Sequence, residues 1–280
     1  MEYKTVLVHV DDSRRADARI EIATSIAVAN GAHLIGGALT GVSRFIEQAV
    51  AANPYDPAIA PYLDTLRARA TLTLERFEEK ARRHGALSVE RRVLDDEATG
   101  GFALQARYCD IAIVGQSDPG ETMPSVGTDF PEYVAVGSGT PVLIVPFARD
   151  FPTIGSRILV AWNGSREAKH ALQGALPLLK NADAVSVLVF TTEEGVEGHG
   201  GQPATDVTQY LARHGVAASM RTEKAAPGEI SKALLSLAAE GRFDLLVMGC
   251  YGHSRFRELL LGGVTRAILA SMTLPVLMSH

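Results

Sequence analysis

The chain is written twice. TVLVHVDDS (5–13) aligns with RILVAWNGS (157–165) at an offset of 152 residues, DIAIVG (110–115) with DLLVMG (244–249) at 134, and TPVLIVP (140–146) with LPVLMSH (274–280), again at 134. A repeat of this length constrains the architecture before any local reading, because each copy needs its own set of elements around its own core. The drop in offset gives the first copy eighteen extra residues. The stretch IEQAVAANPYDPAIAPYLD (46–64), with prolines at 54, 57 and 61, is where they are expected, as an irregular excursion between helices.

Apolar periodicity makes each copy alternate strand and helix and end on a strand. In the first copy strands are predicted near 4–10, 33–39, 88–94, 110–115 and 141–145, and helices near 14–30, 64–84, 97–107 and 126–137. The second copy gives strands near 157–162, 184–190, 216–222, 244–249 and 275–279, with helices near 166–180, 203–214, 228–241 and 263–271. Alternating β and α segments imply right-handed crossovers and a parallel sheet covered on both faces. The predicted class is α/β: two tandem doubly wound domains, 1–147 and 153–280, each a five-stranded parallel sheet flanked by helices, joined by the turn-rich FARDFPTIGS (147–156).

Composition narrows the function classes. The 280 residues suffice for two cores, and with 46% hydrophobic and 21% charged residues the chain reads as an ordinary globular protein. No apolar run reaches membrane-span length and no signal-peptide pattern follows Met1, so the expected location is cytoplasmic, with no membrane partner. A net charge of −5 without a Lys/Arg-rich run argues against nucleic acid. Cys109 and Cys250 can build neither a disulfide framework nor a four-thiolate zinc site, and free thiols are expected. The glycine-rich acidic loop 191–204, with His199, lacks metal-ligand spacing, so no metal site is expected there.

The chemistry is concentrated in LLVMGCYGHSRFRELLLGGVT (245–265). Leu245 to Met248 reads as a buried strand ending at Gly249, Gly252 follows, and Gly262-Gly263-Val264-Thr265 opens a helix. Glycines let backbone N–H groups approach an anion, and the amides at a helix start favour phosphate. Glycines after a strand also make ordinary tight turns. The spacing here, G-x2-G-x9-G, is neither a P-loop nor the dinucleotide fingerprint. No hydrolytic constellation accompanies it, so binding is expected before catalysis, with at most weak hydrolytic activity.

This spacing resembles the nucleotide-binding segment of ATP-binding universal stress proteins, in which a Ser or Thr follows the last glycine. Gly249, Gly252 and Gly262 match, while Gly263 stands in place of the hydroxyl residue and Thr265 lies two residues further on. The resemblance spans nearly the whole chain, once per half, but the strong motif lies only in the second. It implies a stress-response regulatory protein holding one ATP per chain, with Mg²⁺ or Mn²⁺ accompanying the triphosphate. The binding residues expected are Ala161, Trp162, Asn163, Val189, Met248, Gly249, Gly252, Gly262, Gly263, Val264 and Thr265, Val189 reading equally as a core strand residue, with His253 and Arg255 as cations near the triphosphate or else as solvated surface residues. Asn163 occupies the position of the family's nucleoside-contacting Asp, and Asn163-Gly164 reads equally as a turn with Ser165 as N-cap. The resemblance further implies an intramolecular pseudo-dimer of the two halves, and leaves open a homodimer of chains. A nucleotide-free dimerisation or scaffold module of the same fold is the alternative.

The first copy serves as an internal control. At an offset of 134, Gly252 corresponds to Asp118, Gly262 to Thr128, Gly263 to Asp129 and Thr265 to Pro131. Carboxylates where a polyphosphate would lie are repulsive, so the first copy is expected to act as a scaffold.

Overall fold

The computed structural model describes residues 2–42, 59–95, 98–121, 126–148, 150–151, 153–191, 203–251 and 263–280. The chain divides into two compact units, Glu2–Thr140 and Pro141–His280. The fold is α/β.

In the first unit β1 (Thr5–His9), β2 (His33–Leu39), β3 (Val89–Leu94) and β4 (Ile111–Gly115) are ordered β3-β2-β1-β4, and the described pairs are parallel. Its helices are α1 (Ala16–Asn30), α2 (Ile59–Arg83), α3 (Ala98–Ala106) and α4 (Phe130–Gly137). In the second unit β5 (Val142–Val145), β6 (Arg157–Ala161), β7 (Ala184–Thr191), β8 (Ala218–Lys224), β9 (Leu245–Gly249) and β10 (Val276–Ser279) are ordered β5-β10-β9-β6-β7-β8. Its helices are α5 (Arg166–Gly174), α6 (Leu176–Leu179), α7 (Pro203–Arg213), α8 (Ile230–Glu240) and α9 (Gly263–Ser271). The described strand pairs here are also parallel, except that β5 runs antiparallel to β10, Leu143 opposite Leu277. Strands β4, β9 and β10 are buried over almost their whole length, the near-continuous apolar runs expected of strands covered on both faces.

Three boundaries depart from the sequence expectation for identifiable reasons. Helix α2 begins at Ile59, inside the segment read as irregular, because Pro61 falls in the first turn, where a missing N–H costs no intrahelical bond. The helix read as continuous over 166–180 is interrupted at Ala175, ahead of Pro177. Strand β8 starts at Ala218 rather than Val216. Val216 instead closes the end of α7, its N–H donating to Leu211 O after Gly215 turns the chain at φ +80°.

Candidate functional site

In a doubly wound sheet, ligands sit beyond the carboxyl ends of the strands, where the chain order reverses. In the second unit this point lies between β6 and β9, since the chain leaves β6 for β7 on one side and later returns to β9 on the other. Ala161 pairs with Leu188 and Val160 with Val247. One step further along, Trp162, Val189 and Gly249 are level with one another, and the Trp162 N–H continues the ladder to Leu188 O at 2.8 Å. The register therefore brings Ala161, Trp162, Asn163, Val189, Met248 and Gly249 to one edge.

Asn163 is exposed, and its Oδ1 accepts the Ser165 N–H at 3.1 Å across Gly164, which adopts φ +74°. Ser165 Oγ then caps α5 by accepting the Ala168 N–H at 3.1 Å. The turn reading of Asn163-Gly164-Ser165 is thus realised, and what Asn163 retains for a ligand is chiefly its amide donor. Trp162 Nε1 is buried without a hydrogen-bond partner among the described residues, a second donor at the same strand end.

Gly249 is required by packing. A Cβ there would lie 2.5 Å from Ala168 N and 2.6 Å from Glu167 C, so the first turn of α5 rests directly on the strand end. Glu167 is buried at the second position of that helix. Burial alone would raise its pKa, but hydrogen bonds from its own backbone N–H, Arg166 and Ser165 outweigh this and hold it below the usual carboxylate value. Ser165 and Glu167 therefore already occupy the positive end of α5. The start of α9 is different: Gly263 is exposed, Val264 half-buried, and first-turn amides of a helix have no intrahelical acceptor. Thr265 is buried, and its Oγ1 accepts the N–H of Tyr251 at 3.4 Å.

Cys250 lies between these segments. Its N–H donates to Ser279 O at 2.9 Å, and burial, reinforced by Glu167, pushes its thiol up to about 12. It is an unreactive thiol at neutral pH. Gly252, His253, Arg255 and Gly262 lie outside the described residues, as does His199. Among the described residues no group of three or more His, Cys, Asp or Glu is arranged to hold a metal ion, and no helix is long and apolar enough to cross a membrane.

The same place in the first unit, between β1 and β4, is built differently. Asp11 corresponds to Asn163 and likewise accepts the Ser13 N–H, at 2.9 Å. Arg19, only 3% exposed, reaches under it: its Nε donates to His9 O at 2.7 Å and its Nη2 approaches Asp11 Oδ1 to 2.8 Å, a close ion pair. A Cβ on Gly115 would lie 2.5 Å from Arg19 Nη1, so the guanidinium fills the space against the β4 end. His9 Nδ1 is 3.3 Å from Asp11 Oδ2, and its ring packs against Phe102 and Phe130 at centroid distances of 5.6 and 4.8 Å. Burial, aided by Arg19 and opposed by Asp11, lowers the pKa of His9 to about 4. Arg19 and His9 hold Asp11 far below the usual carboxylate range despite its burial. At the offset of 152, Arg19 faces Ala171 and His9 faces Ala161. The aligned repeat already held this signal, two charged or titratable residues opposite alanines, which motif-centred reading passes over.

Beside this cluster a cavity of about 50 Å³ is lined by Val10, Asp11, Asp12 and Thr40 from the strand ends and by Arg69 and Thr73 from α2. Arg69 Nε pairs with Asp12 at 2.6 Å and Thr73 Oγ1 donates to it at 2.9 Å. A void of this size holds water, not a nucleoside.

Comparison with known proteins bears on the fold. Residues 156–280 match the model of the universal stress protein family. A universal stress protein of Synechocystis is 29% identical over 147 residues, an alignment covering 49% of this chain and 46% of that protein, so the match spans about half of the relative's length. A universal stress protein of Archaeoglobus fulgidus shares the fold over 98% of this chain and 94% of its own, at 17% identity and a TM-score of 0.70. A Pseudomonas aeruginosa structure described as a putative universal stress protein covers 98% of this chain and 92% of its own, at 17% identity and a TM-score of 0.58. The family match falls on the half that carries the glycine segment, and the fold likeness extends through both halves.

Proposed function

We propose that the chain is a nucleotide-binding regulatory protein of the universal stress protein type, taking one ATP per chain at the β6/β9 switch point of the second unit. The reading is supported above all by the contrast between the two switch points: Arg19 fills the first with its own guanidinium, whereas the corresponding position of the second is Ala171. The base and ribose would meet Asn163, Val189 and the Trp162 donor. The phosphates would run toward the exposed start of α9 at Gly263 and Val264, with Gly252 and Gly262 supplying close backbone approach and His253 and Arg255 positive charge. A divalent cation such as Mg²⁺ or Mn²⁺ would be carried by phosphate oxygens and water, since Asn163 is a weak ligand for it. Nucleotide occupancy would then bias a conformation or partner surface.

The test is nucleotide released from the purified, denatured chain, together with the melting temperature at millimolar ATP. Adenine nucleotide and an upward shift are expected; neither appearing would leave the nucleotide-free scaffold reading. Gly262→Asp, which adds a carboxylate to the glycine segment next to the position where the first copy has Asp129, is expected to weaken ATP binding by well over tenfold, about 1.4 kcal/mol or more. Unchanged affinity would show that the phosphates lie elsewhere.

A further inference from the structure

We infer that Thr265 is a positioning residue, not a phosphate ligand: its hydroxyl latches the strand end to α9 by accepting the N–H of Tyr251. The inference rests on the nucleotide-site reading above and deepens it. Thr265 is the hydroxyl residue that the motif would offer to phosphate, yet it is only 4% exposed, and the contact its Oγ1 makes is with Tyr251 N, fourteen residues away, at 3.4 Å. Tyr251 itself is held in the left-handed region at φ +53°, a conformation that favours glycine. A non-glycine residue persists there when its surroundings determine it, and the hydrogen bond to Thr265 is such a determinant. It ties the residue two past the end of β9 to the first turn of α9, the two described ends of the glycine segment.

The first unit closes the same place with different chemistry. The counterpart of Tyr251 is Ser117, and the counterpart of Thr265 is Pro131, which can neither offer a hydroxyl nor donate an N–H. There Ser117 Oγ donates to Thr128 O at 2.6 Å, across eleven residues. Both units thus tie the exit of the strand to the approach of the following helix. A latch present where no nucleotide is expected is a structural device, and in the second unit Thr265 supplies it. Anchored in this way, the Tyr251 turn sets where the chain departs from β9, and with it the register of the amides offered to phosphate.

Thr265→Val keeps the shape and removes the acceptor; Thr265→Ser keeps the acceptor. In the ligand-free chain, amide exchange at Tyr251 should speed up at least tenfold in T265V and return to the wild-type rate in T265S. With ATP, T265V should bind about tenfold more weakly, the loss of one hydrogen bond, while its affinity for adenosine, which has no phosphates, stays unchanged. In a Tyr251→Gly background, where glycine adopts the turn freely, the T265V penalty should shrink. Unchanged Tyr251 exchange in T265V, or an ATP penalty equally large in the Y251G background, would overturn the latch and make Thr265 a direct phosphate contact. Failure of the wild-type chain to bind ATP would count against the proposed function alone, and the ligand-free exchange would still decide the latch.

Discussion

At the carboxyl end of β1 the chain places Arg19, Asp11 and His9; at the corresponding end of β6 it places Ala171, Asn163 and Ala161. The backbone solution is the same in both units, down to the side-chain oxygen that accepts the serine N–H two residues on. What differs is where the charge is resolved. In the first unit the acidic residue is paired with an arginine of the following helix, α1, and α2 closes over Asp12 through the Arg69 and Thr73 contacts. In the second unit the carboxylate has become an amide and the arginine an alanine, so the pair that closes the first switch point has no counterpart at these positions. A repeat can thus keep one fold while one copy satisfies its crevice internally and the other, on the proposed function, leaves that to a ligand.

Four perturbations probe that contrast, and the largest effect is expected at Arg19. Arg19→Ala would leave Asp11 buried beside a neutral His9, and should cost the first unit about 3–5 kcal/mol in urea unfolding. The double variant Asp11→Asn, Arg19→Ala should recover much of this, because it imitates the second unit. A loss below about 1 kcal/mol in the single variant would mean that the ion pair is not what closes the crevice.

Gly249→Ala comes next. The new Cβ meets backbone atoms of α5, which cannot move without lifting the helix, so a loss of about 3 kcal/mol is expected in the second unit. Gly115→Ala meets only a guanidinium tip and should cost less. Equal losses would break the comparison.

The third perturbation is pH. Unfolded, His9 takes up a proton near its ordinary 6.5; folded, it does so only near 4, so between these values the unfolded chain holds more protons. Stability is therefore full above about pH 6.5 and falls on acidification toward 4, by roughly 3 kcal/mol in all. Asp11, whose pKa is lowered in the fold, adds a loss in the same direction below the usual carboxylate range. His9→Gln should flatten the dependence between 6.5 and 4 and keep the acid limb. A wild-type profile already flat across that interval would remove His9 from the account.

The smallest effect belongs to Ser165→Ala, which removes the N-cap of α5 and should cost about 1 kcal/mol by thermal unfolding. A value near zero would show that Asn163 and Glu167 fix the start of α5 without it.

The internal repeat made most of the fold readable in the sequence, because two aligned copies corroborate each element. The misplaced boundaries were those where one residue type serves two roles: Val216 suits a strand but closes a helix, and Pro61 reads as a breaker but sits in a first turn. At the candidate site, the glycine segment starts at the end of β9, as its apolar run and Gly249 implied, yet Gly249 answers to the packing of α5 and Thr265 to Tyr251. Neither role is visible without the register of the sheet. The Arg19 cluster escaped because it joins positions 9, 11, 19 and 115, which no local motif brings together.

The central claim is one nucleotide per chain, held by the second unit. Native mass spectrometry of the intact chain titrated with Mg·ATP measures it directly. The account predicts a single bound nucleotide at saturation, lost in Gly262→Asp and retained when Arg19 and Asp11 are replaced together. Two nucleotides on the wild-type chain, or one that survives Gly262→Asp, would contradict it.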